Sequence, residues 1–413
     1  MKKLNVIDLF SGCGGLSDGF EQAGFFRTIA CMEWEKAPHL SHIKRLKAKW
    51  GYKTAEKMAL RFDIQRTEEL LHGWKNDPVY DSSDGLDALV ADNNIDIVIG
   101  GPPCQAYSLA GRIRDEHGMK NDYRNYLFES YLAVVKHYKP NMVIFENVPG
   151  ILSACPGDVS IIDRINEAFD EAGYELTSDL SGKAKVDLVD FGIPQRRSRV
   201  ILFGIKKTTF KENRQKLLSD FYDNILTQYH TSIMGTVRDA IGDLPPFYPS
   251  KETYKIEGRN FSHTPSQSVV LNHAPRYHNQ RDISIFRDLA DDIEKKENRY
   301  SSIKSLHELY KERTGKDSNI HKYYVLRWNE PSNTIPAHLY KDGLRHIHPD
   351  PKQSRSITVR EAARLQTFDD DFEFLGSVGD QYKMIGNAVP PLFAKYLACA
   401  VYEFSEKIGL VYA

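Results

Sequence analysis

A cysteine and a glutamate each stand where a short apolar run ends. Cys104 ends the segment 100–104, which follows the predicted strand 95–99, and Glu146 follows the apolar run 142–145. Two glycines and two prolines in that segment fix an unusual backbone, which favours a presented thiol over a buried, inert one. A thiolate nucleophile with a hydrogen-bonding carboxyl group is the chemistry that this pair predicts. A core thiol and a carboxylate at a helix N-terminus are the simpler alternatives.

A glycine-rich turn lies near the N-terminus, directly after the first apolar run. The sequence FSGCGGL at 10–16 lets a ligand approach the backbone closely, although Ser17 stands where a dinucleotide-binding pattern has its third glycine. Glu33 lies 21 positions after Gly12, the spacing at which an acid holds a ribose hydroxyl, and Trp34 offers a ring to an adenine. This combination favours a nucleoside-containing cofactor over a plain turn with a surface glutamate and a core tryptophan. It does not distinguish NAD from other nucleosides.

Positive charge is concentrated in one part of the chain. Residues 195–215 hold seven Lys or Arg against one Glu, a local charge of +6 in a chain whose net charge is −1. A solvated basic surface and a phosphate-binding patch both fit this cluster. The segment 106–125 carries four further cations and two glycines, and it is either a lid or a long surface loop.

The elements that must position these residues alternate between strand and helix. Apolar runs predict buried strands, and amphipathic patterns at 127–138 and 161–172 predict helices between them; the runs are 6–9, 28–32, 97–99, 142–145 and 200–205. The alternation predicts a parallel, doubly wound α/β sheet, with ligands at the carboxyl ends of its strands. From 206 to about 355 this rhythm is lost, which predicts a second domain of irregular or β type. A last helix is expected over 391–406.

Composition narrows the class of protein. At roughly 100–200 residues per domain, 413 residues allow two or three domains. The five cysteines show no paired CxxC spacing, which disfavours a disulfide framework and a structural zinc site. No apolar run approaches the ~20 residues of a membrane span, and the N-terminus has no signal-peptide pattern. A cytoplasmic protein is expected, and the balanced net charge alone suggests a metabolic enzyme.

Together these segments closely resemble the DNA (cytosine-5)-methyltransferase family, with the family's motifs in their usual order along the whole chain. The most specific are GPPCQ at 101–105, ENV at 146–148, QRRSR at 195–199, REAARLQTF at 360–368 and GNAVP at 386–390. The resemblance implies a Rossmann-like catalytic domain at 1–225, completed by 375–413. It also implies a smaller target recognition domain and hinge at 226–374.

The resemblance also implies S-adenosylmethionine as cofactor, with S-adenosylhomocysteine as product and no metal. The positions that match the cofactor contacts are Phe10, Gly12, Gly14, Gly15, Leu16, Glu33, Trp34, Asp63, Ile64, Pro102, Asn387 and Val389. The matching active-site groups are Cys104, Glu146, Arg197 and Arg199. Contacts with duplex DNA are expected at Gln105, Ser108, Arg124, Asn147 and Val148, and at the candidate sequence readers Arg276 and Arg327.

The implied chemistry is attack of the Cys104 thiolate on C6 of a flipped-out cytosine, followed by methyl transfer to C5. The implied biological role is a monomeric modification enzyme of a prokaryotic restriction-modification system, located in the cytoplasm with the nucleoid and partnered with a separate endonuclease. Three alternatives remain at this stage. A tRNA cytosine methyltransferase usually carries a Cys-Phe-Thr element, whereas 206–360 contains no Cys. A nucleotide-dependent oxidoreductase would leave Glu146 and the arginine cluster unexplained, and the intact catalytic set speaks against an inactive DNA-binding relative.

Overall fold

The chain forms two compact units. The computed structural model describes residues 3–103, 127–155, 160–211, 213–256, 258–264, 270–318, 322–341 and 343–410. The first unit comprises Met1–Gly192, Arg197–Ser232 and Ala388–Ala413, and the second comprises Ile193–Arg196 and Ile233–Asn387. The second unit thus differs from the predicted range 226–374 at both ends, and through Ile193–Arg196 it also takes in the first two residues of the arginine motif.

The first unit is built on an eight-stranded sheet. Its strands are β1 (Leu4–Leu9), β2 (Phe26–Glu33), β3 (Ala59–Arg61), β6 (Ile97–Gly100), β7 (Met142–Asn147), β8 (Tyr174–Glu175), β9 (Lys185–Asp187) and β10 (Ser198–Lys206). Their order in the sheet is β3-β2-β1-β6-β7-β10-β8, with β9 paired to β10, while β4 (Trp74–Asp77) and β5 (Asp81–Ser83) form a separate hairpin. Every residue of β6 and β7 is buried. All five strands predicted from apolar runs lie within this sheet.

The sheet is parallel from β3 through β7 and antiparallel at β10. Val200 of β10 pairs with Asn147 of β7, and Ile205 pairs with Met142. The prediction of a parallel sheet is therefore wrong for β10, because a strand buried on both faces has the same continuous apolar pattern in either direction. As a consequence, the amino end of β10, which carries the arginine motif, lies beside the carboxyl end of β7.

Nine helices of the first unit lie between these strands in the sequence or, in the case of the ninth, directly after β10 among the described residues. They are α1 (Gly15–Ala23), α2 (Lys36–Ala48), α3 (Ala55–Met58), α4 (Thr67–His72), α5 (Gly85–Val90), α6 (Leu127–Tyr138), α7 (Ile161–Glu171), α8 (Leu180–Lys183) and α9 (Arg214–Asp220). The predicted helices at 127–138 and 161–172 correspond to α6 and α7. Ser160 caps α7 by accepting a hydrogen bond from the Asp163 backbone NH, and Gly173 follows its end with φ +86°.

The second unit has a small core of its own. It contains a hairpin of β11 (Pro249–Ile256) and β12 (Arg259–His263), and the helices α10 (Val237–Ile241), α11 (Gln280–Glu294), α12 (Ile303–Thr314), α13 (Val359–Leu365) and α14 (Val378–Asn387). Phe286 and Leu289 of α11 pack with Leu309 of α12. The sequence interpretation does not include these two helices, although the apolar residues of α11 recur every three or four positions.

The last helix, α15 (Pro391–Lys407), packs against α1 in the first unit. A Cβ placed on Gly19 of α1 would lie 2.3 Å from the Cβ of Ala394, so only glycine permits this approach. The stretch Val378–Lys407 has the length and composition of a membrane span, but 67% of its most apolar part is buried inside the protein. Core helices of soluble proteins share those properties, so this stretch is weak evidence for a membrane span.

Candidate active site

The glycine turn after β1 has a backbone that glycine is needed to form. Gly12 has φ +57° and Gly14 has φ +92°, and Gly14 is the N-cap of α1. A Cβ on Gly14 would lie 2.4 Å from the Cδ2 atom of His42, whereas a Cβ on Gly12 would have nothing within 4 Å. The turn is therefore packed tightly at Gly14 and open beside Gly12. Gly15 and Leu16, also predicted cofactor contacts, form the first buried turn of α1.

His42 of α2 supports this turn and was not found from the sequence. Its ring is buried, and its Nδ1 lies 3.2 Å from the hydroxyl oxygen of Ser11. Its Nε2 is buried and has no hydrogen-bond partner among the described residues. Burial lowers the pKa of His42 to about 3, so the ring is neutral. No spacing rule marks a histidine 28 positions after Gly14, which is why this contact needed the structure.

Glu33, at the end of β2, joins the glycine turn directly. Its carboxylate accepts hydrogen bonds from the backbone NH of Gly12 at 2.9 Å and of Glu35 at 2.8 Å. Burial raises the pKa of Glu33 to about 7. The neighbouring Trp34 is exposed over 46% of its surface, and Phe10 at the end of β1 is half-buried with φ +57°. The predicted ribose ligand thus lies within hydrogen-bond distance of the predicted glycine turn.

The remaining residues that are predicted to contact the cofactor lie after β3, after β6 or just before the last helix, α15. Asp63 and Ile64 come just after β3, and the Asp63 carboxylate accepts a hydrogen bond from the backbone NH of Gln65 at 3.0 Å. Pro102 follows β6 and is buried. Val389 is buried in the first unit, whereas Asn387 is exposed and ends α14 in the second unit.

Glu146 and Arg199 form a buried ion pair at this edge of the sheet. The Nε atom of Arg199 lies 2.7 Å from a carboxylate oxygen of Glu146, and the two side chains are 11% and 10% exposed. A Cβ on Gly101 would lie 2.7 Å from the other carboxylate oxygen of Glu146, so the segment after β6 passes directly over it. This segment continues from Pro103 to Cys104. The antiparallel direction of β10 is what brings Arg199 to Glu146.

Arg197 and Asn147, two further residues predicted to lie in the site, donate hydrogen bonds to backbone carbonyl oxygens. Arg197 is buried and donates a hydrogen bond from Nη2 to the carbonyl oxygen of Ala388 at 3.0 Å. Asn147 is buried and donates from Nδ2 to the carbonyl oxygen of Pro102 at 3.4 Å, while its Oδ1 accepts from the backbone NH of Val148 at 2.9 Å. These contacts let Arg197 hold the GNAVP segment and let Asn147 hold the segment that leads to Cys104.

Cys104 and three of the predicted DNA contacts, Gln105, Ser108 and Arg124, lie outside the described residues, as does the predicted lid at 106–125. The two candidate sequence readers are in the second unit. Arg276 donates hydrogen bonds to the carbonyl oxygens of Leu339 and Tyr340, and Arg327 donates to the carbonyl oxygen of Val325. Both guanidinium groups therefore have backbone partners within their own unit.

Comparison with known proteins places the chain in a family. A family model of C-5 cytosine-specific DNA methylases matches residues 4–403. A type II methyltransferase of Bacillus paralicheniformis, M.Bpa9945I, is 35% identical over 96% of this chain and 98% of its own. M.DdeI of Desulfomicrobium norvegicum, also a type II methyltransferase, is 30% identical over 99% of this chain and 91% of its own.

Solved structures share the fold. An E. coli prophage protein described as a DNA modification methyltransferase superposes with a TM-score of 0.62, at 24% identity, over 98% of this chain and 100% of its own. The Dnmt2 methyltransferase of S. pombe superposes with a TM-score of 0.53, at 16% identity, over 98% of this chain and 99% of its own. The matches of family model, relatives and fold agree with the motifs, and the chain belongs to the C-5 cytosine-specific DNA methylase family as a DNA cytosine-5 methyltransferase.

Proposed function

We propose that the protein transfers a methyl group from S-adenosylmethionine to C5 of a flipped-out cytosine in duplex DNA, through a covalent adduct with Cys104. The observation that carries the proposal is the Glu146–Arg199 pair, which lies directly under the segment leading to Cys104. A fixed carboxyl group and a nucleophile on adjoining segments are the arrangement that the addition to a pyrimidine ring requires.

The residues at the carboxyl edge of β1 and β2 fit S-adenosylmethionine. The buried Glu33 carboxylate is an acceptor for ribose hydroxyls, the exposed Trp34 ring offers a stacking surface, and the space beside Gly12 is open. When bound, the cofactor supplies an electrophilic methyl group on a sulfonium centre. His42 and Glu33 hold the glycine turn in the conformation that leaves this space open.

The pKa of Glu33 predicts that cofactor binding depends on pH. An ionised carboxylate only accepts hydrogen bonds and binds ribose hydroxyls more strongly than the protonated acid, and a pKa of about 7 leaves Glu33 mostly protonated at pH 6. We expect the Kd for S-adenosylmethionine to be about tenfold higher at pH 6 than at pH 8, measured by isothermal titration calorimetry. Glu33→Gln should bind weakly at both pH values. A constant wild-type Kd over this range would contradict the assignment.

The chain's own residues account for the chemistry at the base. The Cys104 thiolate adds to C6, and Glu146 donates a proton or hydrogen bond to N3, so that C5 gains the electron density of an enamine. C5 then takes the methyl group, and its proton passes to solvent water. Departure of the Cys104 thiolate, with return of the N3 proton to Glu146, restores the aromatic ring. Arg199 orients the Glu146 carboxyl group through its 2.7 Å contact and adds positive charge, which favours a thiolate nearby.

None of this chemistry is possible inside a stacked duplex, so the target base must leave the helix. Unstacking a base costs a few kcal/mol, which contacts with the DNA have to offset. We assign target recognition to the second unit and closure over the base to the segment 106–125. The predicted role is that of a type II modification enzyme, as the names of the similar methyltransferases suggest. We expect it to be monomeric and cytoplasmic and to act beside a separate endonuclease.

One experiment separates this function from the tRNA alternative. The purified protein is incubated with methyl-labelled S-adenosylmethionine and either duplex DNA or tRNA, and bisulfite sequencing of plasmid from an expressing host locates the modified cytosine. We expect label in duplex DNA alone, at one short sequence motif. Labelling of tRNA in place of DNA would overturn the proposed substrate.

A further inference from the structure

A basic pocket lies in the second unit, within the part of the chain that the family motifs do not cover. It has a volume of about 410 Å³. It is bordered by the first turn of α11, by α12 and by residues 322–323, 340–341 and 344, and its polar lining includes Tyr277, Arg281, Tyr310, Lys322, Tyr340 and Lys341. Tyr277 and Tyr340 expose more than 40% of their surface, so their rings face solvent.

The lining of this pocket has an excess of positive charge. Asp282 is the one acid among its lining residues, and its carboxylate already accepts a hydrogen bond from Arg281 at 2.9 Å. Within the described part of the chain, no carboxylate lies within ion-pair distance of Lys322 or Lys341, and the Nζ atom of Lys322 lies 4.9 Å from the centre of the Tyr310 ring. The N-terminus of the 15-residue helix α11 adds its partial positive charge.

Arg276 builds the wall of the pocket. Its guanidinium lies 3.9 Å from the centre of the Tyr382 ring and donates to the carbonyl oxygens of Leu339 at 2.6 Å and Tyr340 at 3.1 Å. These contacts hold the turn that carries Tyr340 and Lys341. Arg276 therefore fixes the conformation of the pocket wall, whereas Lys322 and Lys341 are available to bind a ligand.

The chemistry of the lining selects for a group that only accepts hydrogen bonds. Lysine, arginine and tyrosine side chains all donate, and no Asn or Gln is among the lining residues. A backbone phosphate and the O6 and N7 edge of guanine both offer acceptors alone. The excess positive charge of the lining favours the phosphate, because it carries a negative charge that guanine lacks.

We propose that this pocket binds a phosphate of the DNA backbone and so positions the duplex on the second unit without reading its sequence. This inference rests on the proposed function, because it takes duplex DNA as the substrate. Lys322 and Lys341 supply the charge, Tyr277 and Tyr340 supply hydroxyl donors, and Arg276 is a positioning residue.

The test is the salt dependence of DNA binding by the full chain. Fluorescence anisotropy measures the Kd of the protein for two labelled duplexes between 50 and 200 mM salt. One duplex carries the sequence motif that the enzyme methylates, and the other carries a scrambled sequence. The test variant is the double substitution Lys322→Gln and Lys341→Gln. We expect the slope of log K against log salt to fall in magnitude by about one to two, and the Kd to rise about tenfold on both duplexes.

Two controls make the result specific. Lys304→Gln removes an exposed lysine of α12 that does not line the pocket, and it should leave slope and Kd unchanged. The double substitution Lys322→Arg and Lys341→Arg keeps the charge and should keep most of the slope. Thermal unfolding confirms that all variants fold.

The other outcomes overturn the inference. If the wild type methylates duplex DNA but the Gln variant keeps its salt slope, the pocket binds no phosphate and the proposed function stands. If the Gln variant loses affinity for the methylated motif alone, the pocket reads bases instead. If the wild type transfers no methyl group to duplex DNA, the proposed function fails and this inference fails with it.

Discussion

Replacing Cys104 with serine should abolish methyl transfer to duplex DNA while leaving S-adenosylmethionine binding within about twofold of the wild type. A serine hydroxyl is not ionised near neutral pH and is a much weaker nucleophile than a thiolate, so we expect it not to add to C6. Removing a covalent nucleophile typically costs 10⁴-fold or more, so we expect a fall in kcat of at least about that size. Single-turnover transfer of labelled methyl groups measures this, and calorimetry with the cofactor provides the control.

The same residue predicts a trapped intermediate. A duplex in which the target cytosine is replaced by 5-fluorocytosine has no C5 proton to lose, so the Cys104–C6 bond cannot break after methyl transfer. The wild type should therefore form a complex that survives denaturing electrophoresis, and its formation should require S-adenosylmethionine. Cys104→Ser should form none. Full turnover by the serine variant, or the absence of any trapped wild-type complex, would show that the reaction does not pass through this thiol.

The buried strands and the edge of the sheet that carries the site could be predicted from the sequence. Continuous apolar runs long enough for a strand identify β1, β2, β6, β7 and β10 whatever their direction. Residues that follow such runs lie at one edge when the strands are parallel, which is why Glu33 meets the glycine turn as expected. The meeting of Arg199 with Glu146 has a different cause, the antiparallel entry of β10, which the apolar pattern of that strand does not encode.

Contacts between residues that lie far apart in the sequence could not be predicted either, because no hydrophobic pattern encodes them. His42 lies on α2 and packs against Gly14 in the turn after β1. No periodic pattern in the sequence indicates this contact. The sequence predicts Arg276 as a base reader because arginine is common at guanine bases. Its three partners in the structure, two carbonyl oxygens and the Tyr382 ring, are supplied by segments more than 60 residues away. The residue type of Arg276 therefore predicts a positive charge but does not predict which group it binds.

Glu146→Gln should lower kcat by on the order of 10³-fold without a matching loss of DNA or cofactor binding. The amide keeps the shape of the side chain, and its oxygen is still able to accept the hydrogen bond from Arg199 Nε, so the buried guanidinium keeps its partner. What is lost is the proton that Glu146 supplies to N3 as charge develops on the ring, and general acid catalysis typically contributes 10²–10⁴-fold. Single-turnover kinetics on the methylated motif measures the effect.

A second variant distinguishes this proton transfer from simple support of the fold. Glu146→Ala removes the acceptor as well and leaves the largely buried Arg199 without its carboxylate, so it should lower the thermal unfolding midpoint, whereas Glu146→Gln should change it little. The rate of covalent trapping on 5-fluorocytosine should fall in Glu146→Gln by about the same factor as kcat, because addition of the thiol needs the same protonation. If Glu146→Gln retains wild-type kcat, the carboxyl group only holds Arg199, and the acid at N3 must be sought elsewhere.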